Sequence, residues 1–317
     1  MGILEHLLAE RGFFSRAEAL DAGTSDATLT AGVRARVWVR FCHGYYTDAA
    51  RWSALGAEGR HLLRADAALH QLRDAVALSH VTGSLNHGLG VWGLDLSSAH
   101  VTRLDGATGR RNNHLVHHRG AVGPEEVTVV RGRPVLSPVR CAVETATLGS
   151  GESGLVVLDS LLHQGLCSPA DLRAEIAAKR HWPDTLPLQL LARMASPGGE
   201  SVGESRLRWL LKCAGLPDPV LQYEVRAGDT LIGRCDMAWP ELGVILEFDG
   251  RFKYQRHVAP GLTPGDVVFA EKQREDRIRE LTGFLVVRVV WSDLDRPNLL
   301  VQRIREAFAR QALLRAG

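Results

Sequence analysis

Apolar residues recur along the chain with two periods, and the switches between them mark out its elements. Leu4, Leu7 and Leu8 keep helical spacing until Gly12. Ser15 then caps a short helix over Arg16 to Leu20, Ala22-Gly23-Thr24 turns the chain, and Ser25 caps a third helix reaching about Arg34. RVWVRFCHGYYT alternates and turns at His43-Gly44, the pattern of a β-hairpin. Three short helices and a hairpin, over 1–50, follow the order of a winged helix-turn-helix.

From 51 to 195 the pattern is mixed α/β. A helix is expected over Gly59 to Leu72, then the small-residue stretch SHVTGSLNHGLGVWGL, then strands near Ala99–Val101, Leu115–His117 and Val127–Val130. Helices over about Pro138–Leu148 and Leu155–His163 follow, and Pro183, Pro187 and Ser196–Ser201 mark a linker. From 196 to 317 the reading is firmer. Leu207, Leu210, Leu211 and Ala214 line one face of a helix over Ser201–Ala214. Strands follow at Leu221–Val225, Leu231–Met237 and Val244–Asp249, then a charged helix over about Phe269–Leu281. The valine-rich run Phe284–Trp291 is expected to be a strand buried on both faces, with a last helix over Pro297–Leu314. The fold class is α/β (α+β overall), its C-terminal third ordered α-β-β-β-α-β-α.

Hydrophobic residues make up 45% of the 317 and charged ones 23%, which suits a globular chain with more than one core. The net charge of +2 does not by itself announce nucleic acid. A DNA surface has to come from local clusters: Arg34, Arg36 and Arg40; Arg110 and Arg111; Arg131 and Arg133. Five scattered cysteines without a CxxC pattern argue against a disulfide framework or a thiolate zinc site. With Glu5 and Glu10 early and no long apolar core, the N-terminus does not resemble a signal peptide. No stretch approaches the roughly 20 apolar residues of a membrane span. A cytoplasmic protein is expected.

The chemistry concentrates in three acids. Asp236 lies near the end of the second strand of the C-terminal third, Glu247 and Asp249 near the end of the third. Strand alternation puts Glu247 and Asp249 on one face, and the turn Trp239–Gly243 folds Asp236 toward them. Clustered carboxylates repel one another, and a hard cation such as Mg²⁺ (or Mn²⁺) offsets that repulsion through oxygen ligands. Such a metal activates water for phosphodiester hydrolysis. Lys253 would assist as a nearby cation, and Glu204 would tune the site. Each has a plainer reading. The acids also suit a solvated strand end, Lys253 an exposed surface, and Ser201-x-x-Glu204 a capping box. Lys272 and Arg274 fit a solvated helix face that contacts phosphate. In the N-terminal region Ser25 and Thr28, on the third helix with Asp26 and Thr30, would face a major groove. Arg34 would end that helix, and Arg36 and Arg40 would form the wing. A protein-interaction role for the same module stays open. His114 and His118 have HxxxH spacing, but on a strand that spacing does not converge on one metal. Ser79-His80 has no third member of a catalytic chain in view, so helix packing by small residues accounts better for that stretch.

The run GES...RCDMAWPELGVILEFDGRFKY...EKQREDRIRELTGFLVVRVVW resembles the uncharacterised domain related to very-short-patch-repair mismatch endonucleases, in the PD-(D/E)XK superfamily. The resemblance covers about Gly199 to Ala312 and implies a restriction-endonuclease-like αβββαβ core. The family's residues fall here on Asp236, on Glu247, Asp249 and Gly250, and on Glu271, Lys272, Arg274 and Glu275. Where the superfamily's third strand ends Glu-x-Lys, this chain has Asp249. GFFSRAEALDAGTSDATL...VWVRFCHGYYT is similar to the winged helix of AbiEi-type antitoxins, and SHVTGSLNHGLGVWGL with GRPVLSPVRCAVETA looks like their companion region, over 51–195. The resemblances imply a DNA-binding protein with a Mg²⁺-dependent endonuclease domain. The alternative is a non-catalytic transcriptional regulator or antitoxin-like protein with a degenerate nuclease fold. DNA is the expected partner; a second copy of the chain and a toxin partner are further candidates.

Overall fold

The computed structural model describes residues 2–107, 111–112, 114–182, 185–250 and 264–316. It is a mixed α/β structure with three sheets, and the chain falls into two units: 1–161 with 165–193, and 162–164 with 194–317.

Unit 1 opens with α1 (Ile3–Glu10), β1 (Phe14–Ser15), α2 (Arg16–Asp21), α3 (Asp26–Arg34), β2 (Trp38–Cys42) and β3 (Tyr45–Asp48). The capping serines set the helix starts: Ser15 accepts the Glu18 amide and Ser25 the Thr28 amide. Glu18 bonds back to the Ser15 amide at 2.8 Å, completing a capping box. The sheet runs β1-β3-β2, antiparallel throughout, with β1 added to the expected hairpin. Phe14, Ala19, Leu29 and Tyr46 form the core beneath α1 to α3. Gly32 lets α3 close on the hairpin, since a Cβ there would meet Trp38 Cε3 at 2.5 Å.

The unit continues with α4 (Ala49–Ala54), α5 (Ala57–Leu72), β4 (Val76–Leu78), α6 (His80–Asn86), β5 (Ala99–Arg103), β6 (Arg111–Asn112), β7 (Leu115–His118), β8 (Val127–Val130) and β9 (Arg133–Leu136). Then come α7 (Pro138–Ala146), α8 (Gly151–His163), α9 (Pro169–Ala178) and α10 (Leu188–Met194). Six strands form a sheet in the order β6-β7-β5-β4-β9-β8. β4 pairs antiparallel with β5 and parallel with β9, and β5 pairs parallel with β7. Two central strands, β4 and β9, carry no readable pattern in the sequence: one is too short to show a period, and Pro134 in the other signals a break. α6 packs on α7 through its small residues, where a Cβ on Gly83 would stand 2.2 Å from Cys141 Sγ. The stretch expected to be a linker contains α10, which buries Leu188, Leu191 and Ala192.

Unit 2 holds α11 (Val202–Cys213), β10 (Val220–Ala227), β11 (Thr230–Trp239), β12 (Val244–Asp249), α12 (Pro264–Thr282), β13 (Leu285–Val290), α13 (Trp291–Leu294) and α14 (Pro297–Ala316). Its sheet order is β10-β11-β12-β13, antiparallel except for the parallel β12–β13 pair. One face packs Met237, Trp239, Leu246 and Phe248 against Leu207 and Leu211 of α11 and Ile304 of α14. The other packs Cys235, Ala238 and Ile245 against Ile278 of α12. β13 differs from the expectation of two buried faces. It is an edge strand: Val287 and Val289 are buried, Arg288 between them is exposed, and Val286 and Val290 are half-covered. Among the described residues, no helix is long and apolar enough to cross a membrane.

Candidate functional site

The acids of unit 2 lie near an irregularity in β11. Cys235 and Met237 are two residues apart yet belong to the cores on opposite faces of the sheet, which regular alternation does not allow. Across from Asp236, Gln222 of β10 has φ +49°. Freed from alternation, Asp236 Oδ2 accepts the Phe248 amide of β12 at 2.7 Å. Phe248 separates Glu247 from Asp249, so the Asp236 carboxylate lies against the backbone between the other two acids. Glu247 faces α12, in a narrow gap lined by Cys235, Arg274, Glu275 and Arg288. Burial and then the Glu247 carboxylate push the Cys235 thiol up to about 12, so it stays neutral. One oxygen from each of Asp236, Glu247 and Asp249 does not come within 4.8 Å of the others; among the described residues the trio that meets that distance is made of histidines.

Glu204 is buried and works as a cap: it accepts the Ser201 hydroxyl at 2.7 Å and the Glu200 amide at 3.2 Å. It also accepts Gln222 Nε2 at 3.2 Å, which ties the start of α11 to the strand position opposite Asp236. Gly203 permits this approach, because a Cβ there would stand 2.0 Å from Phe248 Cε1. Lys253 lies outside the described residues. Lys272 is exposed on α12. Arg274 donates to the Arg234 carbonyl at 3.0 Å, pinning α12 to β11.

On the first helices of unit 1, Ser25 and Thr28 spend their hydroxyls on each other at 2.9 Å, and Asp26 is paired with Arg16 at 2.7 Å. That pairing offsets the charge of Asp26 on α3. Arg34, Arg36 and Arg40 are exposed. Arg36 sits at φ +57°, where α3 passes into the hairpin. Arg40 contacts His43 Nδ1 at 2.8 Å. Arg40, His43, Arg64 and His114 line a cleft of about 580 Å³.

A second cluster was not legible in the sequence. His80 at the start of α6, His100 on β5 and His118 on β7 each bring a possible ligand atom within 4.8 Å of the others. His118 Nε2 stands 2.9 Å from His100 Nδ1, and the His80 and His118 rings stack with centroids 3.5 Å apart. His80 Nδ1 faces Glu144 Oε2 at 3.1 Å, and Arg140 Nε donates to Glu144 Oε1 at 2.9 Å. Burial raises the Glu144 carboxyl, but His80 and Arg140 outweigh it and hold it at about 2. Burial first, then the neighbouring His80, push His118 down to about 3, so its ring is neutral. Ser79 Oγ also meets His80 Nδ1, at 3.1 Å. Serine and carboxylate therefore share one ring nitrogen, and no nucleophile–base–acid relay exists here. The HxxxH pair His114 and His118 was not expected to converge on one metal; the sheet joins His118 to residues on two other elements.

The fold is that of a mixed α/β protein carrying two clusters of chemically competent side chains. No family model matches the chain. Two uncharacterized proteins of Mycobacterium tuberculosis, Rv2248 of strain H37Rv and MT2308 of strain CDC 1551, are each 27% identical to it over 197 residues, 62% of this chain and 68% of theirs. The crystal structure of the RV2827C protein from the same organism aligns with 72% of this chain and 88% of its own, at 14% identity and a TM-score of 0.40.

Proposed function

We propose that the protein binds DNA and hydrolyses its phosphodiester bonds with a Mg²⁺-dependent site in unit 2. The observation that carries this reading is the 2.7 Å bond from the Phe248 amide to Asp236, which lays that carboxylate against the β12 backbone between Glu247 and Asp249. The α-β-β-β-α-β order, with three antiparallel strands and a parallel fourth, supports a PD-(D/E)XK-type core. The donor set is entirely carboxylate oxygen, which fits a hard divalent cation. Asp236 and Glu247 would hold the ion, and Asp249 would share it or orient water. When bound, the ion supplies a water of lowered pKa and charge for the phosphate oxygens. Glu204 acts through Gln222, as a positioning residue. In unit 1, the helices and hairpin ending in Arg34, Arg36 and Arg40 support a winged helix that contacts the DNA backbone.

A second reading has its own observation. Asp236 is already engaged by backbone, and the three acids do not close within 4.8 Å, which favours a DNA-binding regulator whose nuclease fold is silent. Incubating supercoiled plasmid with the purified chain and Mg²⁺ or Mn²⁺ separates the two readings. Nicking that Asp236→Asn and Glu247→Gln abolish supports the enzyme, because both variants keep the hydrogen-bonding shape and remove charge. DNA retention without nicking supports the regulator. The resemblance to an antitoxin predicts in addition that a toxin partner co-purifies with the native chain.

A further inference from the structure

We propose that His80, His100 and His118 bind a divalent transition cation of the zinc class, with Glu144 positioning His80 and a fourth coordination position left to water. The proposal concerns unit 1 alone and stands whether or not unit 2 cleaves DNA.

Three elements deliver the ligands. β5 and β7 run parallel with His100 opposite Val116 and His118 opposite Thr102, so His100, Thr102 and His118 share one face of the sheet. β4 pairs beside β5 and hands the chain to α6 at His80. His80 adopts φ +49°, a left-handed backbone that costs a residue with a side chain about 1 kcal/mol or more and persists where its surroundings over-determine it. Its ring is held from behind: the Glu144 carboxylate takes Nδ1, and Arg140 holds Glu144. A carboxylate on one imidazole nitrogen fixes the tautomer that leaves the other free to ligate, the arrangement that supports metal-binding histidines generally. Imidazole nitrogen favours zinc, copper, nickel or iron over magnesium. Three histidines with an open position are the donor set of a hydrated zinc site.

Two details fit the same assignment. Thr102 is 1% exposed, and its hydroxyl has no hydrogen-bond partner although it lies across from His118. A water on the ion gives it one. Two nitrogens on a tetrahedral ion with bonds of about 2.0–2.1 Å stand about 3.3 Å apart, so the 2.9 Å His100–His118 pair opens by only a few tenths of an ångström. The stacked rings of His80 and His118 cannot both point at one ion while parallel, so binding turns one of them out of the stack.

The test is zinc uptake by the untagged full-length chain, measured by calorimetry and elemental analysis after chelator treatment, with Mg²⁺ titrated in parallel. His118→Phe keeps a flat ring against His80 and removes the ligand; His100→Gln keeps a polar side chain. The expected result is one zinc per chain and no response to Mg²⁺. Each ligand variant should weaken binding by more than the 10–100-fold expected of Glu144→Gln, a change behind the ligands. Failure of the wild-type chain to take up zinc in stoichiometric amount overturns the proposal, as does uptake that both ligand variants retain. Should a variant fail to fold, X-ray absorption at the zinc edge of the wild-type protein decides: three imidazoles in the first shell support the site, and carboxylate or thiolate ligands overturn it.

Discussion

The acids of unit 2 and the histidines of unit 1 solve the problem of gathering polar groups in opposite ways. Asp236, Glu247 and Asp249 are half-exposed and carry like charge, and the Phe248 amide ties Asp236 to β12. His80 and Glu144 are buried, and the charge of Glu144 is answered on the spot by Arg140. Buried charge left without its partner is far more costly than a half-exposed carboxylate made neutral. Side-chain changes should therefore damage unit 1 through stability and unit 2 through chemistry.

The largest effect is expected from Glu144→Ala. It takes from the buried Arg140 guanidinium one of its two carboxylates, leaving Glu126 and the Ala121 carbonyl, and removes the acceptor of the His80 amide and ring. Breaking a buried pair costs up to about 3–5 kcal/mol, read as a shift in the denaturant midpoint by circular dichroism. Next comes Gly203→Ala, which drives a methyl into the Phe248 ring. Overpacking of this kind costs about 1–3 kcal/mol, and it should also lower any nuclease activity, because Phe248 carries the amide that holds Asp236. Ser25→Ala removes the α3 cap for about 1 kcal/mol, with DNA affinity changing less than in an Arg34/Arg36/Arg40→Ala triple variant. That triple variant should reduce the slope of log affinity against log salt by about 1 for each phosphate the protein no longer neutralises. Glu18 gives a smaller, pH-dependent effect. Its partial burial acts against ionisation, but the Ser15 amide and hydroxyl and the Arg11 guanidinium outweigh it, so its folded pKa lies below the unfolded value. Its contribution is present above the ordinary glutamate range and is lost as pH falls below it. Glu18→Gln should therefore lower stability at pH 7 and flatten the acid limb of the stability curve. If Asp236→Asn destabilised the chain as much as Glu144→Ala, the contrast between the units would collapse.

The same contrast explains what the sequence revealed. Asp236 and Glu247 lie on the two strands of one hairpin, so a short turn was enough to predict that they come from neighbouring strands. Ser15, Ser25 and Ser201 announced helix starts because a cap is decided by the next three residues. The histidine cluster is different: His80, His100, His118 and Glu144 come from four elements, and only the order β7-β5-β4 brings them together. Two strands of that sheet lacked a readable pattern, so the order itself was hidden. The irregularity at Asp236 was also beyond pattern reading, since it breaks the alternation on which such reading depends. β13 misled for a related reason: an unbroken valine run looks fully buried, although the strand lies at the edge of its sheet.

The most direct test of the central claim is one plasmid-cleavage experiment on three proteins in Mg²⁺: the wild-type chain, Asp236→Asn and His118→Phe. The account predicts nicking by wild type and His118→Phe and none by Asp236→Asn, with all three folded. Nicking that survives Asp236→Asn, or that disappears in folded His118→Phe, would contradict it and move the chemistry away from the strand ends of unit 2.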